Sequence, residues 1–127
     1  MGVDGGRLNW LVLIIFAPIL ILVGVLGFVL PESASLTSGA PAYNWFHIAF
    51  GVLGLLLALT RRESYARAFN LGFGLIDLYQ AAASFLHLFP ESHFRWTRVD
   101  DVLHVAVGAL LVGVALYARR SRRAARA

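Results

Sequence analysis

Between Trp10 and Leu30 the chain carries 21 consecutive residues without a charged side chain. At about 1.5 Å per helical residue this run reaches roughly 30 Å, one hydrocarbon thickness, and a helix satisfies all of its own backbone groups there. The run therefore reads as a membrane span. A secretory signal peptide has a shorter apolar region, so Arg7 followed by this run predicts a retained first helix rather than a targeting segment. The whole sequence agrees: 127 residues, 59% hydrophobic, 14% charged and mean hydropathy +0.73. That is too apolar for a soluble core and too short for two domains. With no cysteine, disulfides, thiolate metal sites and cysteine nucleophiles are excluded.

Pro31 stops the first run, and Ser33, Ser35, Thr37, Ser38, Gly39 and Pro41 form a polar connector. A second span is expected from Asn44 to Thr60, which Ala42 and Tyr43 could lengthen. A third runs from Tyr65 or Ala66 to Phe89 before Pro90, and a fourth from Asp101 to Tyr117. Four spans place both termini on one side. Arg7, Arg61, Arg62, Arg67 and five arginines of a basic tail at 119–127 share that side, against Arg95 and Arg98 on the other. The positive-inside rule makes the richer side cytoplasmic. The same rule accounts for a pI of about 10.3 without a nucleic-acid partner.

Asn44-Trp45-Phe46-His47-Ile48-Ala49-Phe50-Gly51 overlays Asp101-Val102-Leu103-His104-Val105-Ala106-Val107-Gly108 at an offset of 57, and Pro31-Glu32-Ser33 recurs as Pro90-Glu91-Ser92. The expected fold is all-α: an integral membrane four-helix bundle in one domain, built from two parallel-repeat helical hairpins at about 8–60 and 66–118. Gly24, Gly27, Gly51, Gly54, Gly108 and Gly113, with Gly72 and Gly74, are expected at helix contacts, where small residues let backbones approach. Pro18 is expected to bend the first helix.

Few groups can carry chemistry. His47 and His104 follow Asn44 and Asp101 by three residues. One reading makes Asn44 and Asp101 helix caps. The other uses the repeat: two imidazoles pointed across a pseudo-twofold axis could ligate haem or a divalent metal, with His87 at similar depth as a third ligand. Asp77 is the acid deepest in a span, where an ionised carboxylate is costly unless paired or hydrated. At 100° per residue, Asn70, Asp77, Gln80, Ser84 and His87 share one helical sector, a stripe that must face protein or water. It serves either as interhelical hydrogen bonding or as a proton or ion path. On the expected helix ends, roughly 10 Å of depth separates Asp77 from the histidines. Tyr43, Trp45, Phe46, Phe94 and Trp96 read as an interfacial aromatic belt.

The two Asn/Asp-x-x-His-x-x-x-Gly segments at 44–51 and 101–108, with Arg61-Arg62 after the second span, resemble the bacterial membrane proteins grouped as domain of unknown function 4383. The resemblance covers the first span to the fourth, and it implies four spans in a bacterial plasma membrane and no established activity. Glycine-rich faces and short loops leave little room for a catalytic site, so the expected function is that of a non-catalytic membrane module, in contact with lipid, that self-associates or joins a larger membrane complex. No cofactor is expected on this reading. A redox module at His47 and His104 and ion or proton-coupled transport along the Asp77 stripe are the alternatives.

Overall fold

The computed structural model describes residues 4–126; Ala127, at the end of the expected basic tail, and the side chains of Ser121 and Arg122 lie outside the described residues. Every regular element among the described residues is helical: α1 Gly5–Val29, α2 Pro41–Leu59, α3 Glu63–Leu86, the short α4 Glu91–Phe94, and α5 Arg98–Arg126, with a 3₁₀ turn at Glu32–Ala34. The basic segment continues α5 rather than forming a separate tail.

Local chemistry sets the helix ends and moves several of those expected. Asp4 caps α1 by accepting from the Gly6 N–H at 2.8 Å. Pro41 occupies the first turn of α2, where its missing N–H costs nothing, so the helix begins a turn before Asn44. Thr97 and Asp100 form a reciprocal capping box that starts α5 at Arg98: the Asp100 N–H donates to Thr97 Oγ1 (3.2 Å) and the Thr97 N–H to Asp100 Oδ2 (2.9 Å). Asn44 and Asp101 are thus helix-interior residues, and the capping role expected of them is corrected. α3 ends at Leu86, three residues early, because His87 adopts a left-handed conformation (φ 54°) and the Leu88 N–H bonds back to the Ala83 carbonyl.

The long helices alternate in direction. α1 packs along α2, and α3 along α5; α1 also meets α3 and α5, whereas α2 and α5 keep their backbones apart and meet through the Tyr43–Asp100 side-chain bond. One end of the molecule gathers the start of α1, the α2–α3 turn and the end of α5, and is rich in arginine; the other holds the two longer connections. At the arginine end, polar side chains tie helices to one another. Trp10 Nε1 donates to the Ala58 carbonyl (2.8 Å), Arg67 Nε to Ala115 (2.9 Å), Asn70 Nδ2 to Asn9 Oδ1 (3.0 Å), and Asn9 Nδ2 to Val114 (3.3 Å). The mid-section is an apolar core of Leu13, Ala17, Leu20, Ala58, Phe69, Phe73 and Leu111.

Close approach depends on glycine. A Cβ on Gly51 would meet the Ile21 nitrogen and the Ala17 carbonyl, and one on Gly108 the Gly74 carbonyl and Leu78. Gly24 and Gly27 seat Asn44, and Gly54 lies against Phe69 and Leu13. A Cβ on Gly113 or Gly72 would meet nothing within 4 Å, so the close-packing role expected of them is not one they play within the chain.

Apolar side chains cover the outward faces, among them Ile15, Leu22, Leu56, Leu75, Val102 and Leu110. α1, α2 and α5 are each long and apolar enough to cross a membrane. α3 is not among these, because Arg67, Asn70, Asp77 and Gln80 lower its hydropathy; the last three are buried against the other helices.

Candidate functional site

Near the connection end the four long helices diverge around a cavity of about 140 Å³. α1 lines it with Phe16, Ile19, Leu20 and Val23, α2 with Tyr43 and His47, α3 with Phe73 and Asp77, and α5 with Asp100, Leu103, His104 and Val107. Asp77 and both histidines therefore line one cavity. Because α2 and α5 begin earlier than their sequence signals suggested, His47 and His104 lie two turns inside their helices, down towards Asp77.

Asp100 organises the cavity's roof. Only 1% exposed, it accepts the Ser38 N–H (2.8 Å), the Thr97 N–H (2.9 Å) and the Thr97 hydroxyl (3.1 Å) on Oδ2, and the Tyr43 hydroxyl (2.7 Å) on Oδ1. The carboxylate thereby fastens the α1–α2 connection and the start of α2 to the start of α5. Ser38 also donates its hydroxyl to the Phe94 carbonyl.

The imidazoles are held differently. His47 Nδ1 lies 2.8 Å from the Tyr43 carbonyl, which only accepts, so Nδ1 carries the proton and neutral His47 presents Nε2 as an acceptor. Its ring lies against Tyr43, with centroids 4.1 Å apart. His104 stands edge-on to Trp96 at 5.9 Å, and its buried Nδ1 has no partner. Asp77 is 3% exposed, and among the described residues no group donates a hydrogen bond to it.

Towards the arginine end the cavity stops at a layer of rings. Phe73 packs on Phe16 (5.7 Å), Phe46 (5.9 Å), Phe50 (5.4 Å) and Phe69 (5.4 Å), between Asp77 and Asn70 on its own helix. The polar stripe of α3 is consequently two regions: Asn70 belongs to the interhelical tie with Asn9, and Asp77 to the cavity. Gln80 is buried with Oε1 unpartnered, and Ser84 is half-buried; neither lines the cavity. His87 does not join the other histidines. Its side chain is 80% exposed and faces Glu91 at 3.8 Å.

The cavity walls differ from side to side. On the α2 side, Phe94 of α4 packs edge-on to Phe46 (5.4 Å) and stacks on Trp96 (5.4 Å), filling the connection end. Tyr43, Phe46, Phe94 and Trp96 are thus interior residues, and of the expected aromatic belt only Trp45, 64% exposed, faces outward. Between α1 and α5 no ring intervenes. Ile19 and Leu103, 48% and 45% exposed, form a rim there, so the cavity opens sideways between those helices.

Sequence reasoning placed Tyr43 in the belt and began the fourth span one residue after Asp100, and so missed the junction they form. The signals available were Pro41, a first-turn proline, and the Thr97-x-x-Asp100 spacing of a capping box. Among the described residues no group of three or more His, Asp or Glu side chains converges to hold a metal ion. No protein-family model, curated protein or solved structure matches the chain.

Proposed function

We propose that this chain is a non-catalytic, four-span membrane protein of a bacterial plasma membrane, akin to the group catalogued as domain of unknown function 4383. Both termini are cytoplasmic, and the protein acts as an accessory module that self-associates or joins a larger membrane complex. The observation that carries this reading is how the polar groups are used. Asn9, Trp10, Arg67, Asn70, Tyr43, Ser38 and Asp100 bond to another element of the chain, and the outward faces are apolar. That is the chemistry of a scaffold in lipid. α3 supplies the fourth span because its polar residues turn inward.

A duplicated origin is supported by one contact made twice. Gly51 abuts Ala17 and Ile21; Gly108 abuts Gly74 and Leu78, each partner 57 residues later. The hairpins α1–α2 and α3–α5 would thus be related by a pseudo-twofold axis along the bilayer normal.

The alternatives find less support. A cavity of about 140 Å³ lies below the roughly 300–1,000 Å³ of pockets for drug-sized ligands, so a porphyrin has no room between the histidines. Conduction needs a polar route past the Phe73 layer, and the rings leave none lined by polar groups.

The test uses the absence of cysteine. Ser35→Cys and Ser64→Cys variants of the full chain are labelled in intact cells with a membrane-impermeant maleimide, then extracted in mild detergent for native mass spectrometry. The expected result is labelling of position 35 alone and an assembly larger than one chain. Labelling of position 64 would overturn the topology, and a lone monomer from native membranes would overturn the accessory role.

A further inference from the structure

The cavity at the connection end holds groups that no helix tie uses. Asp77 is buried and receives no hydrogen bond among the described residues. His104 Nδ1 is buried without a partner, and His47 Nε2 is an acceptor because Nδ1 donates to Tyr43. The hydroxyls at the cavity are committed elsewhere: that of Tyr43 is given to Asp100, and that of Thr37 bonds to Tyr43. What remains is a carboxyl, imidazole acceptors and the ring faces of Phe16 and Phe73. Such a set suits a small cation with N–H groups, which a carboxylate neutralises, ring nitrogens accept from and aromatic faces attract.

The cavity's size and opening narrow the class. At roughly 30 Å³ per water-sized group, 140 Å³ takes about four or five such groups: an ammonium head and a few carbons, not a phosphocholine. The opening lies between Ile19 and Leu103, apolar residues on outward-facing helix surfaces. On the four-span reading, that opening faces acyl chains rather than water.

We propose that this cavity is a binding site for primary alkylamine amphiphiles. The ammonium head pairs with Asp77 and donates to His47 and His104, and the alkyl chain leaves between α1 and α5 over Ile19 and Leu103. No bond is made or broken.

The full-length protein in zwitterionic nanodiscs is dialysed against radiolabelled decylamine, with empty nanodiscs as the reference. Saturable uptake of one amine per chain is expected, with competition by unlabelled decylamine but not by decanol or decyltrimethylammonium, which lack the charge or the N–H groups. Asp77→Asn should weaken binding at least tenfold. Ile19→Trp, which blocks the opening without altering the polar groups, should do the same if Asp77→Asn does not fold. Uptake no greater than in empty nanodiscs, equal binding by folded Asp77→Asn and Ile19→Trp, or equal competition by decanol or by a neutral alkylphenol would each overturn the proposal. Maleimide labelling of the same samples reports topology independently, so loss of the amine site and loss of the four-span reading are distinguishable.

Discussion

The two hairpins share one glycine contact and diverge on either side of it. In α1–α2, Gly24 and Gly27 continue the close approach towards the connection end, and Asn44 fills the resulting notch, its Nδ2 donating to the Gly39 carbonyl at 3.0 Å. In α3–α5 the positions 57 residues later are Ala81 and Ser84, and Asp101, the counterpart of Asn44, is only half-buried; Oδ1 is unpartnered at both positions. The difference teaches what a few methyl groups decide. The first hairpin is zipped to its end, whereas the second relies on Asp100 to bond sideways to Tyr43 and Ser38.

The strongest way to break this comparison is to enlarge the shared contact. Gly51→Leu and Gly108→Leu each force a side chain into backbone and should cost about 3 kcal/mol or more in SDS-titration unfolding followed by circular dichroism. Gly113→Leu, facing open space, should stay within about 0.5 kcal/mol. Equal costs at positions 108 and 113 would remove glycine packing from the second hairpin. The next effect sharpens the difference: Tyr43→Phe leaves Asp100 Oδ1 short of a buried donor and should cost about 1.5–3 kcal/mol. The smallest concerns the arginine end. Asn70→Ala removes both bonds that Nδ2 gives to Asn9 and should cost about 0.6–1.7 kcal/mol in the same titration.

The helical character, the three helices long and apolar enough to cross a membrane, and the polar interior of α3 were legible because composition and periodicity act over many residues. The site was less so. Depth was counted from Asn44 and Asp101, which resemble caps, while a proline and a Thr-Asp box a turn earlier start the helices. The earlier starts set both imidazoles deeper in their helices, where they line one cavity with Asp77. His87 was misplaced for the opposite reason: its left-handed backbone ends α3 where hydropathy alone continues, and the side chain turns out to Glu91. Phe94 and Trp96 resembled interfacial anchors because sequence does not report that a short helix folds them inward.

The Asp100 junction also bears on the order in which the chain is made. Synthesis delivers α1, its connection and α2 well before residue 100. Until α5 arrives, the Ser38 N–H and Tyr43 hydroxyl lack the carboxylate that both use in the finished molecule. The first hairpin can therefore be fully inserted while still incomplete, and a chain truncated before Asp100 leaves two polar groups exposed at its end.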